Sequence, residues 1–165
     1  MGSDLNILEA QFWAVNDILN KLLNATNATA VLLIDKAGQL ITSAGNTSTI
    51  DLTAFASLAA ADFAATSQLA LLIGEKEFST LFHQGERESL YVCMVESRVI
   101  LVVIFNSTKA TLGLVRVKAN QASTELSKIF RAIFEQIERQ MKGGLPGLGE
   151  DFTQEAESEI DNLFK

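Results

Sequence analysis

The sequence predicts an α+β domain in the order α-β-β-α-β-β-β-α, with a five-stranded antiparallel sheet covered by helices. Three observations carry this. Apolar residues recur at helical spacing in three long stretches. Five short apolar or alternating runs lie between them, and the last three runs are joined by turns too short for anything but antiparallel neighbours.

The first helix is marked by Leu5, Leu8, Phe12, Val15, Leu19 and Leu22, which step by three and four and which Ser3 or Asp4 can cap. Asn24 to Asn27 ends it. Residues 30–34 are apolar throughout and suit a strand buried on both faces. Asp35-Lys36-Ala37-Gly38 then turns the chain into a second strand over 39–44. The second helix starts at a cap of Asp51 or Thr49 and closes at Gly74. Strands over 77–84, 88–96 and 99–105 form a meander through Gly85-Glu86-Arg87 and Ser97-Arg98. The last strand is wholly apolar and belongs in the sheet interior. A long helix runs from about Thr111 to Met141 on a stripe of Val115, Ala119, Ala122, Leu126, Ile129, Ile133 and Ile137.

The second helix is unusual because it is apolar almost all the way round, with Asp62 its only charge. A helix on one side of a sheet needs a single apolar stripe. Leu52, Phe55, Leu58, Phe63, Leu69 and Ile73 gather on one side and read as the core face. Thr53, Ser57, Ala60, Ala61, Ala64 and Gln68 fall on the other, a small flat surface that lets another backbone approach and is too apolar to stay in water. It reads as a protein-docking face.

At 165 residues the chain holds one domain, residues 1–142, followed by a Gly/Pro-rich linker over 143–149 and an acidic tail over 150–165. In a helix there, Phe152, Ala156, Ile160, Leu163 and Phe164 would line one face, and the segment is expected either to be disordered or to dock through Phe152, Ile160, Leu163 and Phe164 on a partner with a basic, grooved surface. The net charge of −7 is concentrated there: residues 150–165 hold six acids and one lysine, leaving 14 acids and 12 bases in residues 1–149. Such a balance excludes a basic nucleic-acid footprint. The apolar fraction of 48% and the mean hydropathy of +0.21 are high, yet no 18 consecutive apolar residues occur. Oligomerisation is the expected use of the surplus. No signal peptide or myristoylation motif opens the chain, so a cytoplasmic protein is expected and the Asn-x-Ser/Thr triplets at Asn24, Asn27, Asn46 and Asn106 are chance matches.

The chemistry-bearing residues are few. Cys93 sits in an apolar run and reads as a buried, inert thiol. His83, the single histidine, is the one candidate general base, but its place beside Phe82 in a strand reads as structural. Gly144 and Gly149 have phosphate-loop spacing, with Glu150 and Asp151 where Lys and Ser/Thr belong. No active site, metal site or cofactor of its own is expected.

Four segments carry a specific resemblance: Gly74-Glu75-Lys76-Glu77-Phe78, the run from Leu81 to Ser89, the strand from Arg98 to Phe105, and Leu112-Gly113-Leu114-Val115-Arg116. Across residues 3–142 the chain resembles bacterial members of the Roadblock/dynein light chain family. The resemblance implies a Roadblock-like fold and a homodimer in which the second helix and the first meander strand pair across a two-fold, making one continuous sheet. Phe55, Leu58, Phe78, Leu81 and Phe82 would then form the dimer interface, and strand 77–84 would lose its exposed edge. The implied partner is a Ras-like small GTPase of the MglA type, which itself binds GTP and Mg. The implied activity is acceleration of hydrolysis by favouring the GTPase's own catalytic conformation, with no arginine finger supplied. Arg87 and Arg98, on hairpin tips, are the residues that would contradict this. The alternatives are a dimeric scaffold that recruits the GTPase to a cell pole for polarity or motility, and a small-molecule sensor, which the well-filled strands disfavour.

Overall fold

The computed structural model describes residues 2–143, with side chains from residue 8 onward. Its elements are α1 (Gly2–Thr26), β1 (Ala30–Asp35), β2 (Leu40–Gly45), α2 (Leu52–Leu72), β3 (Thr80–Gln84), β4 (Glu88–Glu96), β5 (Val99–Asn106) and α3 (Leu112–Gly143). The order matches the sequence reading. The Leu5 side chain and tail residues Phe152, Ala156, Ile160, Leu163 and Phe164 lie outside the described residues. The chain divides into two compact units, Met1–Phe130 and Arg131–Lys165, so the break falls within α3. In the second unit the described residues continue the helix, with Arg139 and Glu135 one turn apart at 3.9 Å.

All five strands pair antiparallel in the order β2-β1-β5-β4-β3. The apolar run of β5 therefore lies at the centre, and its residues Val99 to Phe105 are at most 5% exposed. β3 is shorter than expected, beginning at Thr80 rather than 77. Its ladder stops at Cys93, next to a register shift between Met94 and Glu96 that bends β4.

Alternation along the strands makes two cores. On one face Ala30, Leu32, Ile34, Val92, Ile100, Val102 and Ile104 pack with Ala56, Ala60 and Phe63 of α2. On the other, Val31, Leu33, Tyr91, Cys93, Leu101, Val103 and Phe105 are buried on the side of α1 and α3. Polar tethers fix these helices: Thr42 Oγ1 donates to Asn16 Oδ1 at 2.7 Å, Ser123 Oγ donates to the Met94 carbonyl at 3.3 Å, and Ser127 Oγ donates to the Val95 carbonyl.

The α1 seam starts later than its spacing indicates. Val15, Ile18, Leu19 and Leu22 are buried, whereas Leu8 and Phe12 are close to half exposed. A 25-residue helix is about 37 Å long and a six-residue strand about 20 Å, so α1 outruns the strands it packs on. α1 also begins at Gly2, placing Ser3 and Asp4 inside the helix rather than at its cap. Its end is built by Asn27 at φ 50°, with the Ala28 N–H donating to the Leu23 carbonyl at 3.2 Å. In α3 the buried stripe passes through Val115, Ala119, Ala122, Leu126 and Phe130, with Phe130 in the place expected for Ile129.

Candidate docking surface

α2 is set on the sheet by its two ends and by one close contact. The Asp51 carboxylate accepts from the Ala54 N–H at 3.1 Å and caps the start. At the other end Gly74 has φ 85°, and the Glu75 N–H donates to the Ala70 carbonyl at 2.9 Å. Gly38 in the β1–β2 turn has φ 90°, and a Cβ there would stand 2.9 Å from Ser57 Cα. The helix thus lies against the turn, closer than any side chain allows.

This close seating corrects the expected division of the helix. Ala56, Ala60, Phe63 and Ala70 face the core, so Ala60, read as part of the outward face, is buried. Leu58, Leu69 and Ile73, read as core, are 70%, 55% and 70% exposed. The physical reason is spacing. A helix held so near a sheet fills the gap with alanines and one large anchor, leaving no room for a leucine stripe. Thr53, Ser57, Ala61, Ala64 and Gln68 are exposed as expected. Ala64, Ser67 and Gln68 border a hollow of about 190 Å³ shared with Lys36 and floored by Phe63 and Ile100. α2 is also long and apolar enough to span a bilayer, but its Ala56, Ala60, Phe63 and Ala70 are packed on the sheet.

Because α2 sits over β1 and β2, the β3–β4 side of the same sheet face is left partly open. The result is a groove of about 340 Å³ lined by Phe55, Leu58, Ala59, Leu90, Val92 and Val102, with Asp62 and His83. Phe55 and Phe78 are half-buried on the edge of this core, and Leu81 is buried in it. Phe82 points to the opposite face, 40% exposed, and stacks on Phe105 with ring centroids 6.3 Å apart. The five residues named for a dimer interface therefore divide between both faces of one edge strand (Leu81, Phe82), the segment leading into it (Phe78) and the adjoining helix (Phe55, Leu58).

His83 Nε2 and Asp62 Oδ2 lie 2.6 Å apart. Sequence reasoning missed this pair, although a lone charge in an apolar helix and a lone histidine were its signal. The groove lining offers the pair no serine, threonine or cysteine. Cys93 is on the other face, where burial pushes its thiol up to about 12. Arg87 and Arg98 are exposed in the β3–β4 and β4–β5 turns. Among the described residues no three of His, Cys, Asp and Glu gather as a metal site.

A comparison with curated proteins gave no match. A family model for the Roadblock/LC7 domain matches residues 14–105. Among solved structures, Myxococcus xanthus MglB is 50% identical with a TM-score of 0.70, over 72% of this chain and 96% of that one. The gliding protein MglB of Thermus thermophilus is 35% identical with a TM-score of 0.68, over 73% and 90%. An MglB described as having a tetrameric arrangement is 34% identical with a TM-score of 0.69, over 73% and 90%. With a matching family model over more than half its length and half-identical sequence across nearly all of a solved relative, this chain belongs to the Roadblock/LC7 family and is similar to MglB.

Proposed function

We propose that the protein is a homodimeric, cytoplasmic regulator of a Ras-like small GTPase of the MglA type. It accelerates GTP hydrolysis without an active site of its own. The observation that carries this is the 50% identity to Myxococcus xanthus MglB, together with the exposed, nearly charge-free α2 surface. Exposed Leu58, Leu69 and Leu72 on one helix, beside a short edge strand, are surfaces that a second protomer would cover. Thr53, Ser57, Ala61, Ala64 and Gln68 remain as the contact for the GTPase.

In this reading the dimer binds the GTPase conformation whose own Arg and Gln are in place, more tightly than the resting one. That differential affinity is the whole of the catalytic effect. A tenfold preference corresponds to about 1.4 kcal/mol. Titration of a labelled MglA-type GTPase, loaded with a non-hydrolysable GTP analogue or with GDP, tests it. Tight binding of two chains per GTPase in the analogue state only is expected. Equal affinity for both states would exclude a population shift.

A further inference from the structure

The dimer reading brings α2 and β3 into one interface, and one side-chain pair spans those two elements within a protomer. Asp62 is the only charged residue of α2, and His83 is the only histidine in the chain. They meet at 2.6 Å with 40% and 48% of their side chains exposed. The pair stands at the mouth of a groove whose other walls are Phe55, Leu58, Ala59, Leu90, Val92 and Val102, all apolar.

No competing charge is in register with it. Across the ladder from His83 is Leu90, and the charged residue further along that face, Glu88, accepts from Thr29 Oγ1 at 3.0 Å. On α2 the neighbours one turn away are Leu58, Ala59, Ala65 and Thr66. Among the described residues neither member has a second ion-pair partner.

We infer that the Asp62–His83 pair makes self-association proton-dependent, the dimer being tightest when His83 is protonated. This rests on the α2–β3 dimer reading above. Protonated, the pair is neutral in sum and enters an apolar seam with its charges matched. With His83 neutral, each protomer carries an unbalanced Asp62 carboxylate into that seam, and burying a charge without its counter-charge is costly. A two-fold interface repeats the cost. The dimer then binds more protons than two free chains do, so association weakens as pH rises.

The test is sedimentation equilibrium of the full chain from pH 5.5 to 8.5, with circular dichroism confirming that each variant is folded. For the unaltered chain the dimer Kd should rise about tenfold or more across that range. His83→Gln, which donates to Asp62 without a charge, should hold the weak high-pH affinity at every pH. The double variant Asp62→Asn with His83→Gln should show no slope. A Kd independent of pH in the unaltered chain, or an unaltered slope in either variant, overturns the inference while leaving the dimer intact. A chain that is monomeric at every pH overturns the dimer reading and this inference with it.

Discussion

Replacing Gly38 by alanine adds one methyl group where the β1–β2 turn meets α2, and its cost separates into two parts. Gly38 has φ 90°, where an L side chain costs about 1–2 kcal/mol. The new Cβ also stands 2.9 Å from Ser57 Cα, a backbone atom that no rotamer change can move. Carbon atoms settle at roughly 3.5–4.0 Å, so the turn and α2 have to separate by about 0.6–1 Å. Overpacking of this kind costs about 1–3 kcal/mol. Gly74→Ala supplies the reference, because Gly74 has φ 85° but nothing within 4 Å of an added Cβ. Urea denaturation at one protein concentration should show Gly38→Ala losing about 2–5 kcal/mol and Gly74→Ala about 1–2 kcal/mol. Because α2 carries the docking face, Gly38→Ala should also weaken GTPase binding. Equal losses in the two variants would refute the close seating of α2 on the turn.

Ala60→Arg forces a guanidinium into the core beside Phe63 and should lower stability by about 3 kcal/mol or more. Ala64→Arg, on an exposed position, should leave the melting temperature within about 2 °C while abolishing GTP-dependent binding; retained affinity would move the docking face elsewhere. Cys93 is 3% exposed and held as a thiol by burial at about 12, so it should resist a thiol reagent at pH 8 and react only on unfolding. Prompt labelling of the folded protein would contradict its placement. Arg87→Ala and Arg98→Ala should each leave maximal GTP hydrolysis within about twofold, whereas loss of an arginine finger costs about a thousandfold or more.

Much of this molecule is written locally in the chain. The Asp51 cap, the Gly74 terminus, the Gly85-Glu86-Arg87 turn and the apolar run Val99 to Phe105 of β5 each act within a few residues, and all stand where their residue types place them. The facing of α2 is different. A helix apolar around its whole circumference has no stripe to orient it, so the buried side is chosen by a contact between residues 19 apart, Gly38 and Ser57. Residue spacing alone therefore cannot tell that Ala60 faces the core while Leu58 and Leu69 face outward. The Asp62–His83 pair is hidden for the same reason, its members, 21 residues apart, meeting only across the groove between α2 and the sheet edge. β3 is shorter than 77–84 because its ladder with β4 ends where Thr80 faces Cys93, with only the Ser79 carbonyl accepting from the Met94 N–H at 3.4 Å beyond it.

The most direct test is single-turnover GTP hydrolysis by the MglA-type GTPase of the same genome, with and without saturating amounts of this protein. A clear acceleration is expected that survives in Arg87→Ala and Arg98→Ala and is lost in Ala64→Arg. An unchanged hydrolysis rate despite GTP-dependent binding would contradict it and leave a scaffold that recruits the GTPase without activating it.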